Sequence, residues 1–166
     1  MHIKPQKYWH DIIAPIVRRD PPPTIPQAVV LWEQHVLLVK RDNPALWELP
    51  GGGMHPRETP EQTVVREVRE ETGLRISIYR QLRIIEHYFY YDPLKAPYHM
   101  YMIFCLCGIV GGTLRGSGSN GDEAHRPTWV PIRTLRRTQF DPVLWPVRRQ
   151  RQWEQSGLKL RESSSV

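Results

Sequence analysis

Residues 59–73, TPEQTVVREVREETG, carry both ends of a helix in their own letters. Thr59 is a strong N-cap, Pro60 suits the first helical position, and Gln62 stands where a capping box places its second partner. Gly73 supplies the stop, because it can enter the left-handed conformation that closes a helix. Val65, Val68 and Thr72 fall on a stripe about 100° or more from the acidic residues, which assigns them the packed face. Glu67, Glu70 and Glu71 stand at i, i+3 and i+4, so they leave the helix on one side within about 5–6 Å of one another. Carboxylates so placed repel by a few tenths of a kcal/mol per pair. A hard divalent cation, which takes oxygen ligands and commonly sits between carboxylates and phosphates, is the simplest reason to gather them.

A Glu- and Arg-rich helix is, alone, usually a solvated face laced with ion pairs. The residues ahead of this one argue otherwise. The turn PGGG at 50–53 and the acid at Glu58 complete a pattern of Gly52, Glu58, Arg66, Glu67, Val68, Glu70, Glu71, Gly73 and Leu74. That pattern resembles the box of the Nudix hydrolases and matches it without a gap. Arg57 stands where a second glycine often precedes the early glutamate, a change confined to the loop.

The resemblance implies an α/β/α sandwich with a mixed β-sheet and a set of roles. Glu67, Glu70 and Glu71 are the implied ligands of Mg2+, with Mn2+ as the alternative, and Glu67 is also the implied handler of the attacking water's proton. Arg66 is the implied orienting residue, within reach of Glu70 by helical spacing. Gly52, Glu58 and Gly73 are the structural members of the motif. The carbonyl of Gly51 is a further candidate ligand, since a residue without a side chain lets backbone approach closely. Outside the box, Arg41 and Trp47 are candidate substrate contacts, as is Tyr90 in the aromatic run HYFYYD. Glu123, beside Asp122, is the candidate late acid supplied from a loop.

Composition narrows the class further. At 166 residues the chain suits one domain with a real core. No run of 18 apolar residues exists, and the first twenty residues mix charge and proline where a secretion signal needs an apolar stretch, so a cytoplasmic protein without a membrane span is expected. Cys105 and Cys107, two apart in CLC, would face the same side of a strand and read as reduced core thiols. A net charge of +6 favours polyanionic ligands without singling out nucleic acid. The seven histidines form no recognised metal-binding spacing, and His55 lies in the phosphate-facing turn.

Residues 1–24 read as an extension ending in a stiff triproline connector, 25–160 as the domain, and 161–166 as a tail. Strands are expected over 28–32 and 36–40 before the box, then over 75–79, 82–91, 98–110 and 128–132. The segment 111–121 reads as a loop, and 142–155 as a final helix.

The expected chemistry is hydrolysis of a diphosphate linkage in a nucleoside diphosphate joined to another group X, by water attack at phosphorus. The expected partner is a small nucleotide-type substrate, and a homodimer is compatible with the reading. No proline stands at the spacing that marks ADP-ribose hydrolases of this family. Two alternatives from other classes are a non-catalytic nucleotide sensor with the same fold and an RNA-binding or RNA-processing protein. The basic C-terminal third motivates the second.

Overall fold

A computed structural model of the chain describes residues 23–40, 46–91, 96–114 and 127–136, with side chains other than those of residues 89–91 and 96–98. Six strands form one mixed sheet: β1 (Thr24–Trp32), β2 (His35–Lys40), β3 (Trp47–Glu48), β4 (Leu74–Tyr91), β5 (Ala96–Gly112) and β6 (Thr128–Pro131). The order is β3-β2-β1-β5-β4, with β6 also on β2. β1 and β5 run parallel, and the other pairs are antiparallel. Among the described residues, one helix, α1 (Pro60–Thr72), packs against β1 and β4, and a 3-10 turn (Ile132–Thr134) follows β6. The expected final helix, residues 1–22 of the extension and the tail lie outside the described residues, and Thr24, expected at the end of the extension, opens β1. No described helix is long and apolar enough to cross a membrane.

The period-2 geometry of strands sorts the core into two layers. Ala28, Val30, Leu37, Cys105 and Cys107 face α1 and meet its Val64 and Val68. Val29, Val36, Leu38, Phe104 and Leu106 face the opposite side with Leu49 and Leu135. Both faces are covered, so these strands read as continuous apolar runs rather than alternating ones. The buried thiols follow from this placement. Burial lifts the Cys105 thiol to about 11 and the Cys107 thiol higher still, so both stay protonated at neutral pH.

Three details differ from the sequence expectation. β1 begins at Thr24 rather than near residue 28, running through Pro26. Proline has no N–H to give to a neighbouring strand, and its carbonyl accepts from the Gly52 amide at 3.3 Å. The two strands expected over 75–91 are one strand, β4, with register shifts at Ile78/Arg80 and Gln81/Arg83. The polar interruption is therefore a pair of bulges in a strand that never leaves β5, not a turn. The packed face of α1 is built on Thr63, Val64, Val68 and Thr72, whereas Val65 is 40% exposed. Val64, Val68 and Thr72 follow strict i, i+4 spacing, and Val65 lies one step, about 100°, around the helix.

Glu33 and Gln34 both take positive φ, 45° and 67°, in the two-residue turn between β1 and β2. Such a turn matches the twist of the strands, at a backbone cost that Asn-Gly would avoid.

Candidate active site

The site is assembled where the loop after β3 crosses the start of β1 and meets α1. Ala28 donates its amide to the Pro50 carbonyl at 2.8 Å, and Gly51 forms a bridge with Gln27, so the glycine run is laid beside β1 almost as another strand. A Cβ on Gly51 would collide with the Pro26 carbonyl, and one on Gly52 would stand 2.6 Å from Glu67 Oε1. The glycines are thus required by close approach.

The start of α1 is capped as its letters require. The Thr59 hydroxyl accepts from the Gln62 amide at 3.2 Å, and the Gln62 side chain accepts from the Thr59 amide at 2.9 Å. Gly73 ends the helix at φ 76°, its amide donating to the Arg69 carbonyl.

Glu58 and Arg66 tie loop to helix. Arg66 Nε donates to Glu58 Oε1 at 2.7 Å, and Nη2 to Glu58 Oε2 at 3.0 Å and to the Gly53 carbonyl at 3.1 Å. The Glu58 carboxylate also accepts from the His55 amide at 2.9 Å and the Thr63 hydroxyl at 2.8 Å. Chiefly through the Arg66 guanidinium, and then the His55 amide, Glu58 is held at about 2, from its ordinary 4.5. Arg66 is correspondingly raised, first by Glu58.

The remaining Nη1 of Arg66 reaches the acids on its own helix, Glu67 Oε1 at 2.7 Å and Glu70 Oε2 at 3.1 Å. Glu71 Oε2 accepts from the Gly51 amide at 3.0 Å. The Glu67 side chain is mostly covered, 15% exposed, and that of Glu70 is 58% exposed. Glu58, Glu67 and Glu70 therefore share one guanidinium, and Glu71 adds a fourth carboxylate. The cluster is oxygen-only and carries excess negative charge, so its donor chemistry fits a hard divalent cation. As the side chains stand, no three His, Cys, Asp or Glu groups among the described residues converge on one metal position. The fit is one of charge and ligand type.

Of the other candidates, Trp47 is on β3, partly buried against the core layer that faces away from α1, with Lys40 Nζ 5.9 Å from its ring centroid. Tyr90 lies on β4, and its side chain is outside the described residues, as are Arg41, Asp122 and Glu123. Two partners escaped the sequence reading. Thr63 is a buried polar residue on α1, and the rule that a buried hydroxyl needs an acceptor would have pointed it toward Glu58. The second is the Gly51 amide, which donates to Glu71, whereas the sequence singled out only the Gly51 carbonyl. Beside the cluster, Glu61, Gln62, Val65, Arg66, Arg69 and Glu70 line an open groove of about 720 Å3 along the outer side of α1.

Comparison with known proteins places this geometry among relatives. The profile of the NUDIX domain matches residues 23–150, most of the chain. The chain is 31% identical over 105 residues to YjhB of Bacillus subtilis (strain 168), covering 63% of this chain and 48% of that protein. It is 32% identical over 113 residues to an ADP-ribose pyrophosphatase of Methanocaldococcus jannaschii, covering 66% and 62%. The chain thus spans less than two thirds of the length of these curated relatives. Among solved structures, an ADP-ribose pyrophosphatase of Streptococcus suis 89-1591 superposes with TM-score 0.54 at 28% identity, covering 69% of this chain and 78% of that one. A NUDIX hydrolase of Nitrosomonas europaea superposes with TM-score 0.59 at 20% identity, covering 76% and 85%, a likeness of fold.

Proposed function

This chain belongs to the Nudix family, and on that premise we propose that it is a pyrophosphohydrolase that cleaves the diphosphate of nucleoside diphosphate derivatives, with ADP-ribose the first to test. The observation that carries the reading is the sharing of the Arg66 guanidinium by Glu58, Glu67 and Glu70. One cation bound mainly by Glu58 leaves Glu67, Glu70 and Glu71 with negative charge that a divalent ion would neutralise.

Glu67, Glu70 and Glu71 would hold Mg2+ or Mn2+, with the Gly51 carbonyl as a further ligand. When bound, the ion supplies neutralisation of the diphosphate oxygens and acidification of a water. Glu67 accepts the proton as the water oxygen attacks phosphorus. The anhydride P–O bond breaks, and the products are a nucleoside monophosphate and phosphorylated X. Arg66 is a positioning residue: it holds Glu67 Oε1 at 2.7 Å while its other nitrogens are anchored to Glu58 and Gly53, so Glu67 is oriented from a fixed base. Glu58, with its oxygens already bonded, holds Arg66 and has no proton-transfer role. Glu123 remains the proposed late acid, and Arg41, Trp47 and Tyr90 the proposed substrate contacts.

ADP-ribose leads because proteins named for its hydrolysis are among the sequence and structural relatives. The chain lacks the proline that marks such enzymes, so nucleotide sugars, dinucleoside polyphosphates and nucleoside triphosphates belong in the same screen. The test is release of phosphate-bearing products from these compounds with Mg2+. Turnover of at least one nucleoside diphosphate derivative is expected. Binding without turnover of any would favour a nucleotide sensor, and neither binding nor turnover would reject the reading.

A further inference from the structure

The tip of the loop between β3 and α1 contains a residue that the proposed chemistry has not used. Residues 55–58 form a tight turn, in which the Glu58 amide donates to the His55 carbonyl at 3.1 Å. Pro56 occupies the second position and Arg57 the third, at φ 71°. This is the pattern of a type II turn, whose third position favours glycine or asparagine because φ is positive there. An L-residue with a full side chain pays about 1–2 kcal/mol for the left-handed region. Arginine has no backbone reason to stand at this position.

Its side chain has no local reason either. Arg57 is exposed, and among the described residues it has no hydrogen-bond or ion-pair partner. That is notable beside an acid. Adjacent Glu58 accepts from Arg66 Nε and Nη2, the His55 amide and the Thr63 hydroxyl. Those four donors fill the roughly four lone-pair sites of a carboxylate. Glu58 is saturated, so the neighbouring guanidinium is left available for an anion from outside the loop. Arg66 connects the same Glu58 to Glu67 and Glu70, so Arg57 is carried on the frame that holds the proposed catalytic acids.

We propose that Arg57 is a substrate-binding residue that hydrogen-bonds phosphate oxygens of the diphosphate at the rim of the carboxylate cluster. The planar fork of arginine suits phosphate bidentately, and an exposed turn tip lets it engage the substrate on arrival. The anion is the substrate's diphosphate, so the inference rests on the proposed hydrolysis. Because the contact would be made equally in ground and transition states, it acts on KM rather than kcat.

The test is steady-state hydrolysis of the best substrate from the screen, with Mg2+, by the wild type, Arg57→Gly, Arg57→Asn and Arg57→Lys, with thermal midpoints of all four. Glycine and asparagine both accept the turn's backbone while removing the charge. Expected are a rise in KM of about tenfold or more in both, kcat within about twofold, and only partial recovery by lysine, which keeps the charge without the planar fork. The midpoint of Arg57→Gly should be no lower than that of the wild type, since relief at φ 71° offsets the greater freedom of glycine in the unfolded chain. An unchanged KM in Arg57→Gly overturns the inference alone and leaves the hydrolysis standing. A lowered midpoint in Arg57→Gly, with KM restored to the wild-type value where the variant is fully folded, assigns Arg57 to loop architecture and likewise overturns it. Absence of turnover by the wild type on every compound overturns both readings together.

Discussion

The carboxylate of Glu67 occupies the space a side chain on Gly52 would need: a Cβ built there lies 2.6 Å from Oε1 and 2.7 Å from the carboxyl carbon. Gly53, next in the chain, has nothing within 4 Å of the same position. Two adjacent glycines in one loop therefore make opposite forecasts. Gly52→Ala should push Glu67 off its position and lower kcat about tenfold or more, because sub-ångström placement of a reacting group matters. Gly53→Ala should leave kcat within about twofold. Equal effects, read by steady-state kinetics on the same substrate, would mean that the loop tolerates a shifted Glu67.

Glu58 should leave a mark in the acid limb of stability. Its carboxyl is held at about 2, from an ordinary 4.5, first by Arg66 and then by the His55 amide. A depressed carboxyl binds its proton more readily in the unfolded chain, so its stabilisation is complete above about pH 4.5 and is lost as pH falls toward 2. The thermal midpoint of Glu58→Gln should lie below that of the wild type at neutral pH, and the gap should close between pH 4.5 and 2. A gap that persists unchanged to pH 2 would show that the ion pair with Arg66 is not its source.

The ends of α1 offer a stability test independent of chemistry. Thr59→Ala removes the acceptor of the Gln62 amide and should cost about 1 kcal/mol, whereas Thr59→Ser should keep most of it. Glu33→Asn with Gln34→Gly should act in the opposite direction, stabilising the β1–β2 turn by up to about 1 kcal/mol. Denaturant midpoints of the three variants read both effects.

These local forecasts follow from the kind of information a sequence holds. The caps of α1, its carboxylate spacing and the reach of Arg66 to Glu70 depend on helical geometry within a dozen residues, so the letters carry them. The bulges of β4 depend on its partner β5, and a polar pair such as Arg80-Gln81 looks the same in a turn as in a bulge. Val64 and Val65 are chemically identical neighbours, and only the sheet beneath decides which is buried. Gly52 against Glu67 is a contact across 15 positions, invisible until loop and helix are brought together. The family resemblance supplied roles that spacing alone could not, and Arg41, Glu123 and the Tyr90 side chain stand outside what the structure describes.

Metal binding can be separated from turnover. Mg2+ that binds only the folded chain should raise stability by about 1.4 kcal/mol at roughly tenfold excess over its Kd. Glu70→Gln with Glu71→Gln should abolish that gain while leaving the metal-free protein no less stable, because like charges have been removed from one helix side. Thermal midpoints over a Mg2+ titration at constant ionic strength distinguish binding from screening. The same gain in both proteins would make the acids a solvated face.

The most direct measurement is the turnover number of Glu67→Gln beside the wild type, with Mg2+ and again in excess chelator, on the substrate the screen selects. Glutamine keeps the size of the side chain and an oxygen that can accept from Arg66 Nη1, so the fold should survive. Loss of the acid as both ligand and proton acceptor should lower kcat about a hundredfold or more, and the wild type should be inactive in chelator. Undiminished turnover in Glu67→Gln, or full wild-type activity without divalent metal, would contradict the assignment of the carboxylate cluster as the catalytic centre.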